Sequence, residues 1–338
     1  MKKILLLLTG GTIGSFEENG VISVKTGKCR VAEIYQENNP NCNLDFVIKE
    51  PYNILSENLT VQNWETIIRF ILSYDLTGFD GIIITHGSDT LSYSSAMLGM
   101  CLHGLGIPVV ITASDYVPDD SRSNALVNFS AAVNLIRQIK NGVYTVYKNL
   151  HEHHAEIFIP TRLKEADRIN DRFLTINNLP AASIDESGNI RECNNIVGLS
   201  ALENRSRFFD TDTFRFPRKV MLIHPYPSIN YNNMTVNDSI GAVLHVTYHS
   251  GTVSEQAIEL LKQCRKKDIP LFLCSLKSNT KALYETSNIL LQQGALPLYD
   301  IGTESAYAKL LLAVNLFPDN IAGLMKKDIY FENLSFTQ

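Results

Sequence analysis

Two short stretches set hydroxyl, carboxyl and glycine residues directly behind apolar runs. One is "TGGTIG", Thr9 to Gly14, behind "KKILLLL"; the other is "THGSDTL", Thr85 to Leu91, behind "FDGIII". Thr9, Thr12, His86, Ser88, Asp89 and Thr90 therefore follow predicted strands, where an open parallel sheet places its ligands. Gly10, Gly11 and Gly87 allow left-handed backbone and close approach, so that free N–H groups can face an oxyanion. Such residues suit nucleophilic attack by a hydroxyl on a carbonyl carbon. The plainer alternative is a pair of tight strand-to-helix turns whose Ser and Thr only cap helices.

Other chemistries fit less well. "TGGTIG" lacks the three-glycine spacing that accommodates a pyrophosphate, and no Gly-Lys-Ser/Thr sequence exists to set a lysine against terminal phosphates. "HEHH", His151 to His154, falls on a predicted hairpin tip without a nearby acid-rich constellation, so no metal and no cofactor is assigned. No Gly-x-Ser-x-Gly elbow or Cys–His pairing offers itself. A hydroxyl can also be activated by a lysine whose proton a carboxylate controls. Ser88 and Asp89 are adjacent, and a lysine from another segment would complete the group. Spacing does not choose it among 30 lysines and arginines.

The elements that carry these residues alternate. The opening apolar run is too short to cross a bilayer, and no cleavage pattern follows Lys2 and Lys3, so it reads as a buried strand. A polar, glycine-punctuated stretch, "SFEENGVISVKTGK", predicts a hairpin or flap. "LDFVIKEPYN" predicts a strand entering the "ILSENL" turn, and "VQNWETIIRFILSYD" a helix. Helices are expected at about Leu91 to Leu105 and over "SNALVNFSAAVNLIRQIKNG", the latter closed by Gly142 just beyond its end. "GVYTVYKN" and "AEIFIPTRL" predict a hairpin near the sheet edge. After a non-periodic stretch the rhythm resumes with "KVMLIHPYP", "GAVLHVTYHSGT", a helix near Ser254 to Lys266, "IPLFLCS", a helix near Lys281 to Gln293 and "ESAYAKLLLAVNLF". This beat implies a mainly parallel sheet with right-handed crossovers. The expected organisation is a larger α/β domain over 1–190, a connector over 191–216 and a smaller α/β domain over 217–338.

Composition supports that size. The chain has 338 residues, of which 45% are hydrophobic, enough for two cores. A net charge of -5, with basic and acidic residues interspersed, offers no field for a nucleic-acid backbone. Six scattered cysteines without a Cys-x-x-Cys pair favour a reducing, cytoplasmic compartment. Neither a nucleic acid nor a membrane is an expected partner.

The two glycine segments, in this order and separation, resemble the signature segments of the bacterial-type L-asparaginases. That family includes glutaminase-asparaginases and the amidase subunit of the archaeal glutamyl-tRNA amidotransferase. The resemblance extends through "LSENL", "TRLKEAD" and "YDIGTESAYAKLLLA" and is greatest to the cytoplasmic type I enzymes. It implies a two-domain α/β enzyme that hydrolyses L-asparagine through a covalent acyl-enzyme, without a cofactor. By motif, Thr12 takes the place of the nucleophile, Ser88 that of a second catalytic threonine, and Asp89 that of its neighbouring aspartate. Lys164 takes the place of the lysine, with Phe173 nine residues on, and Lys148 is the next candidate. Gly11, Ser56, Glu57, Ser88 and Asp89 are the implied substrate-binding residues. The amides of Gly11 and Ser88 would face the oxyanion.

Three departures bear on substrate. Ser88 replaces a threonine and loses the methyl that restricts its rotamer. Val21 stands where many asparaginases carry a flap tyrosine, leaving Ser15, Glu18 or another flap residue to compensate. "SDYVPDDSRSNALVNF", Ser114 to Phe129, replaces the common Met-Arg-Pro and Asp-Gly-Pro pattern. Another small amide, glutamine, or tRNA-dependent amidotransfer is the alternative; "SEN" and the absent tyrosine resemble the amidotransferase amidase, while the expected lack of an extra N-terminal domain and of an RNA surface does not. The resemblance also implies a homodimer or homotetramer, in which "TYHSGT", Thr247 to Thr252, is the segment expected to reach a neighbour's site.

Overall fold

Apolar runs with no polar face become strands covered on both sides. The computed structural model describes residues 2–18, 21–23, 27–193, 197–279 and 282–334. Parts of the predicted flap (19–20 and 24–26), the side chains of Glu18 and Val21, and Lys281 at the predicted start of a helix lie outside the described residues. The chain divides into two compact units, Met1–Phe214 and Arg215–Gln338.

In the first unit, β1 (Lys2–Leu8), β2 (Phe16–Glu18), β3 (Val21–Ser23), α1 (Arg30–Asn38), β4 (Leu44–Lys49), α2 (Val61–Ser73) and β5 (Gly81–Thr85) come first. Then follow α3 (Leu91–Leu102), β6 (Val109–Thr112), α4 (Ala125–Ile136), β7 (Val143–Tyr147), β8 (Ala155–Phe158), β9 (Ala182–Ile184), β10 (Ile190–Glu192) and α5 (Leu199–Glu203). The main sheet has eight strands in the order β10-β9-β8-β7-β6-β5-β1-β4. From β4 to β7 all pairings are parallel; β7–β8, β8–β9 and β9–β10 are antiparallel. Ile4 to Leu7 of β1 and Ile82 to Ile84 of β5 have no exposed surface, as parallel strands under helices on both faces require. The sheet is thus mixed, with its parallel half carrying both glycine segments.

Helix chemistry accounts for where the crossovers begin. Thr60 and Asn63 form a reciprocal capping box at the start of α2. Every residue of α3 except Tyr93 is buried, and two of its serines find partners inside: Ser94 Oγ accepts from Trp64 Nε1 at 2.9 Å and Ser95 Oγ from Thr145 Oγ1 at 2.8 Å. Gly99 of α3 lets the 3₁₀ turn Pro160–Arg162 approach, since a Cβ there would stand 2.9 Å from Pro160 Cγ.

The structure corrects several expectations. The β7–β8 hairpin lies inside the sheet, because the short strands β9 and β10 extend it further. Gly142 does not close α4, whose last turn ends at Arg137; its φ of 99° serves the turn into β7. Residues up to Phe214 of the predicted connector cluster with the first unit, where Phe209 and Phe214 are buried.

The second unit contains β11 (Lys219–Ile223), β12 (Ile240–Val246), α6 (Ala257–Lys266), β13 (Leu271–Leu276), α7 (Glu285–Gln292), β14 (Leu296–Tyr299), α8 (Thr303–Leu316) and α9 (Ile321–Met325). Its sheet is parallel throughout in the order β11-β12-β13-β14. Val243, Leu260, Leu271, Leu273 and Leu290 belong to its core. Lys309 of α8 and Glu332 form a fully buried ion pair at 2.7 Å, which ties the C-terminal segment to that helix. The fold is therefore the two-domain α/β arrangement expected, a larger mixed-sheet unit followed by a smaller parallel one. No helix among the described residues is long and apolar enough to cross a membrane.

Candidate active site

Adjacent strands β1 and β5 bring both glycine segments out at one end of the sheet. Gly10 and Gly11 have φ of 100° and 81°, a region that side chains rarely tolerate. The spacing is as decisive as the angles. A Cβ at Gly10 would stand 2.0 Å from the Ile54 carbonyl oxygen, and one at Gly11 would stand 2.6 Å from both Gly87 N and His86 O. At Gly87 it would meet Ser56 Oγ at 2.4 Å. Three segments distant in sequence thus approach one another as closely as only glycine permits.

Thr12 opens the 3₁₀ turn Thr12–Gly14, and its hydroxyl donates to the Ser114 carbonyl oxygen at 2.9 Å. Ser15 Oγ donates to Gly11 O at 3.0 Å and secures the turn. Ser56 is buried in the 3₁₀ turn Ser56–Asn58; its hydroxyl donates to Asp89 Oδ2 at 3.2 Å, and its carbonyl accepts from Thr90 Oγ1 at 3.0 Å. Glu57, beside it, is exposed. Ser88 and Asp89 line a cavity of about 710 Å³ together with Asp115, Tyr116, Arg122, Tyr147, Glu165 and Phe173. Burial pushes the Tyr147 phenol up to about 12, so it stays protonated and can donate. The Arg122 guanidinium lies 4.1 Å above the Tyr116 ring and is held by Asp120 at 2.7 Å.

Lys164 is exposed, in a segment whose backbone is fixed by its own amide donating to Leu174 O at 2.8 Å. Its neighbour Glu165 reaches the cavity. Among the described residues, no hydrogen bond or ion pair joins Lys164 to Thr12, Ser88 or Asp89. The structure therefore gathers Gly11, Ser56, Ser88 and Asp89, sets Thr12 on the adjoining turn and leaves Lys164 in the segment beside the cavity. Lys148, the alternative lysine, sits at the end of β7, its amide donating to Asn128 Oδ1 at 2.7 Å.

Ser114 is a neighbour of Thr12 that motif reading misses, since its Oγ lies 3.4 Å from Thr12 Oγ1. Its position is built by α4 and the residue before it. Asn124 Oδ1 accepts from Asp115 N at 3.1 Å while Asp115 Oδ1 accepts from Asn124 N at 3.1 Å, and Asn128 Nδ2 donates to Ala113 O at 2.9 Å. A signal was present: Ser114 follows the apolar run "IPVVITA", as the other candidates follow theirs. The histidines of "HEHH" lie in the β7–β8 turn with His151, His153 and His154 exposed, and no group of three or more potential metal ligands occurs among the described residues. The segment "TYHSGT" follows β12 as a tight turn, with Gly251 N donating to Tyr248 O at 2.8 Å.

A hydroxyl on a glycine corner, a neighbouring Ser-Asp pair and a cavity at the carboxyl ends of a parallel sheet are the features of an amidohydrolase of α/β class. The family profile "Asparaginase, N-terminal" matches residues 3–187, and the chain belongs to the asparaginase family. It is 26% identical to a glutamyl-tRNA(Gln) amidotransferase subunit of Methanosphaera stadtmanae, over 96% of this chain and 74% of that one. It is also 26% identical to the corresponding amidotransferase subunit of Methanosarcina acetivorans, over 100% of this chain and 80% of that one. In structure it resembles the thermostable L-asparaginase from Thermococcus kodakarensis (TM-score 0.78, 21% identity, 98% and 99% of the two chains). The likeness to L-asparaginase I from Vibrio cholerae is comparable (TM-score 0.78, 23% identity, 98% and 99%). At these identities the structural likeness is one of fold. Membership is therefore shown for the family as a whole, and the narrower expectation of a bacterial type I enzyme is not.

Proposed function

We propose that this chain hydrolyses the side-chain carboxamide of an amino-acid amide, with Thr12 as nucleophile. The observation that carries this reading is the close approach of Gly11 to Gly87, which sets the Thr12 turn against the Ser88–Asp89 turn that lines the cavity. Thr12 Oγ1 attacks the carboxamide carbon and its proton passes to the relay of Ser88, Lys164 and Asp89. The relay returns a proton to the leaving nitrogen, ammonia departs, and an acyl ester remains on Thr12. Water then attacks that ester by the same route and frees a carboxylate. Ser56, Glu57 and Asp89 hold the α-amino and α-carboxylate ends. The relay requires Lys164 to swing from its exposed position, a motion that bound substrate would drive.

For the substrate, the relatives favour an amide used in amidotransfer over free L-asparagine as the end use, because the sequence likeness to the amidotransferase proteins spans nearly the whole chain. The "SEN" segment, Ser56 to Asn58, and Val21 in place of a flap tyrosine point the same way. A homodimer or homotetramer remains part of this reading, checked by sedimentation.

The test is ammonia release from L-asparagine, from L-glutamine, and from each of them with charged glutamyl-tRNA and ATP, always against Thr12→Ala. Release from L-asparagine exceeding that from L-glutamine by about 10 to 200-fold, the range one methylene can supply, returns the reading to an asparaginase. A preference for glutamine, or stimulation by charged tRNA, supports the amidotransferase reading. No release above the control from any of these amides sinks both.

A further inference from the structure

His86 follows β5, is 2% exposed, and has Nδ1 2.8 Å from the carbonyl oxygen of Gly87. A carbonyl only accepts, so this contact assigns the proton to Nδ1 and fixes the tautomer. The backbone that carries the ring is itself anchored, since the His86 amide donates to Thr112 O at 2.8 Å. The described peptide bonds are all trans, so the C=O and N–H of the Gly87–Ser88 peptide point in opposite directions. Holding the carbonyl on the buried imidazole therefore turns the Ser88 N–H away from the core. Among the described residues the Ser88 amide donates no hydrogen bond, and Gly11, next to the candidate nucleophile, packs directly on the Gly87 backbone.

The second unit repeats the device with a different outcome. His245 Nδ1 lies 2.8 Å from the Val246 carbonyl oxygen, but there the opposed amide, Thr247 N, is spent on Cys274 O at 3.1 Å. At His86 the opposed amide is left unspent beside the Thr12 turn.

We propose that His86 is a positioning residue that, by gripping the Gly87 carbonyl, presents the Ser88 N–H to the oxyanion formed when the carboxamide is attacked. This rests on the amidohydrolase reading above. Burial also holds His86 below the ordinary histidine range, so the ring keeps a single proton and the grip does not depend on a charged form.

The experiment compares His86→Asn, His86→Gln and His86→Leu. Asn keeps an N–H donor close to the Nδ1 position; Gln places its donor near Nε2, and Leu fills volume without a donor. Gln and Leu are expected to lower kcat by about 10²–10³-fold, the cost of one oxyanion donor, with KM changed by less than about threefold. His86→Asn recovers most of that loss. Retention of kcat in His86→Gln and His86→Leu, or an equal loss in all three at matched Tm, overturns the proposal. Crystal structures of the Gln and Leu variants give an answer free of turnover: the Gly87–Ser88 peptide is expected to rotate, and an unrotated peptide in both overturns the role of His86 even where the wild type hydrolyses no amide tried. Absence of wild-type turnover would count against the function, whereas an unrotated peptide counts against this inference.

Discussion

Thr12 and Ser114, 102 positions apart, meet through a hydrogen bond of 2.9 Å from the Thr12 hydroxyl to the Ser114 main-chain carbonyl. A carbonyl holds the hydroxyl hydrogen without being able to take the proton, so this is a resting arrangement that a base must replace. Ser114 Oγ is committed to Tyr116 O at 2.8 Å and stands only at 3.4 Å from Thr12. Thr12→Ala is therefore expected to remove ammonia release, Thr12→Ser to keep part of it, and Ser114→Ala to cost less than about tenfold in kcat/KM. A Ser114→Ala loss as deep as that of Thr12→Ala would make Ser114 a participant rather than a rest for the nucleophile.

Lys164→Met and Asp89→Asn should each lower kcat by about 10²–10⁴-fold, the range of a lost acid–base partner, with circular dichroism unchanged. Lys148→Met should have little effect. If Lys148→Met is the damaging change and Lys164→Met is not, the lysine has been assigned to the wrong segment.

Gly11→Ala puts a methyl into the Gly87 backbone at a φ of 81°. Strain of this kind costs about 1–3 kcal/mol. Tm should fall by roughly 2–4 °C for each kcal/mol. Activity should fall further than Tm implies, because the two turns are forced apart. A Gly11→Ala protein with unaltered Tm and turnover would contradict the close contact.

The six cysteines provide a check on burial. All are free, with Cys42 and Cys193 partly exposed and the other four buried. Burial pushes the Cys29 and Cys274 thiols up to about 12 and Cys264 up to about 11, and raises Cys101 as well. A thiol reagent at neutral pH should modify Cys42 and Cys193 quickly and the rest only after unfolding, for a total of six. Fewer than six thiols in the denatured, unreduced protein would overturn the reducing compartment inferred from sequence.

His86 and His245 are both pushed below the ordinary histidine range, chiefly by burial. Below about pH 6.5 the unfolded chain therefore binds protons that the folded chain refuses, so stability is complete above that value and declines as pH falls toward the folded-state pKa values. The urea midpoint should be lower at pH 6.0 than at pH 7.5, and the difference should shrink in His86→Asn. A midpoint that holds or rises on acidification would refute the burial of these rings as neutral groups.

What sequence reveals here follows the strength of the local signal. Strands such as Ile82 to Ile84 and the helix Val61–Ser73 are legible because apolar spacing and burial coincide. The helix Arg30–Asn38 leaves little trace, since it buries only Val31, Ala32 and Tyr35. The strands Ala182–Ile184 and Ile190–Glu192, three residues each, are too short to show alternation, and so the hairpin before them looks like an edge. Within the site, glycine and hydroxyl types mark Thr12 and Ser88 directly. The Ser114 contact and the His86 tautomer arise from tertiary packing, and along the chain only the place of Ser114 behind the run "IPVVITA" hints at either.

The pairing of β1 with β5 has a consequence for how the protein is made. The Thr9 hydroxyl finds the Thr85 carbonyl across 76 positions of chain, and Thr12 finds Ser114 across 102. Loops of that length close late and slowly relative to local helices. A growing polypeptide leaving the ribosome thus carries its threonine turn before the partners of that turn exist, and the turn waits until β5 and the segment after β6 have been added. Ammonia release during refolding would then lag the meeting of those distant strands, since Lys164, beyond β8, must also be in place.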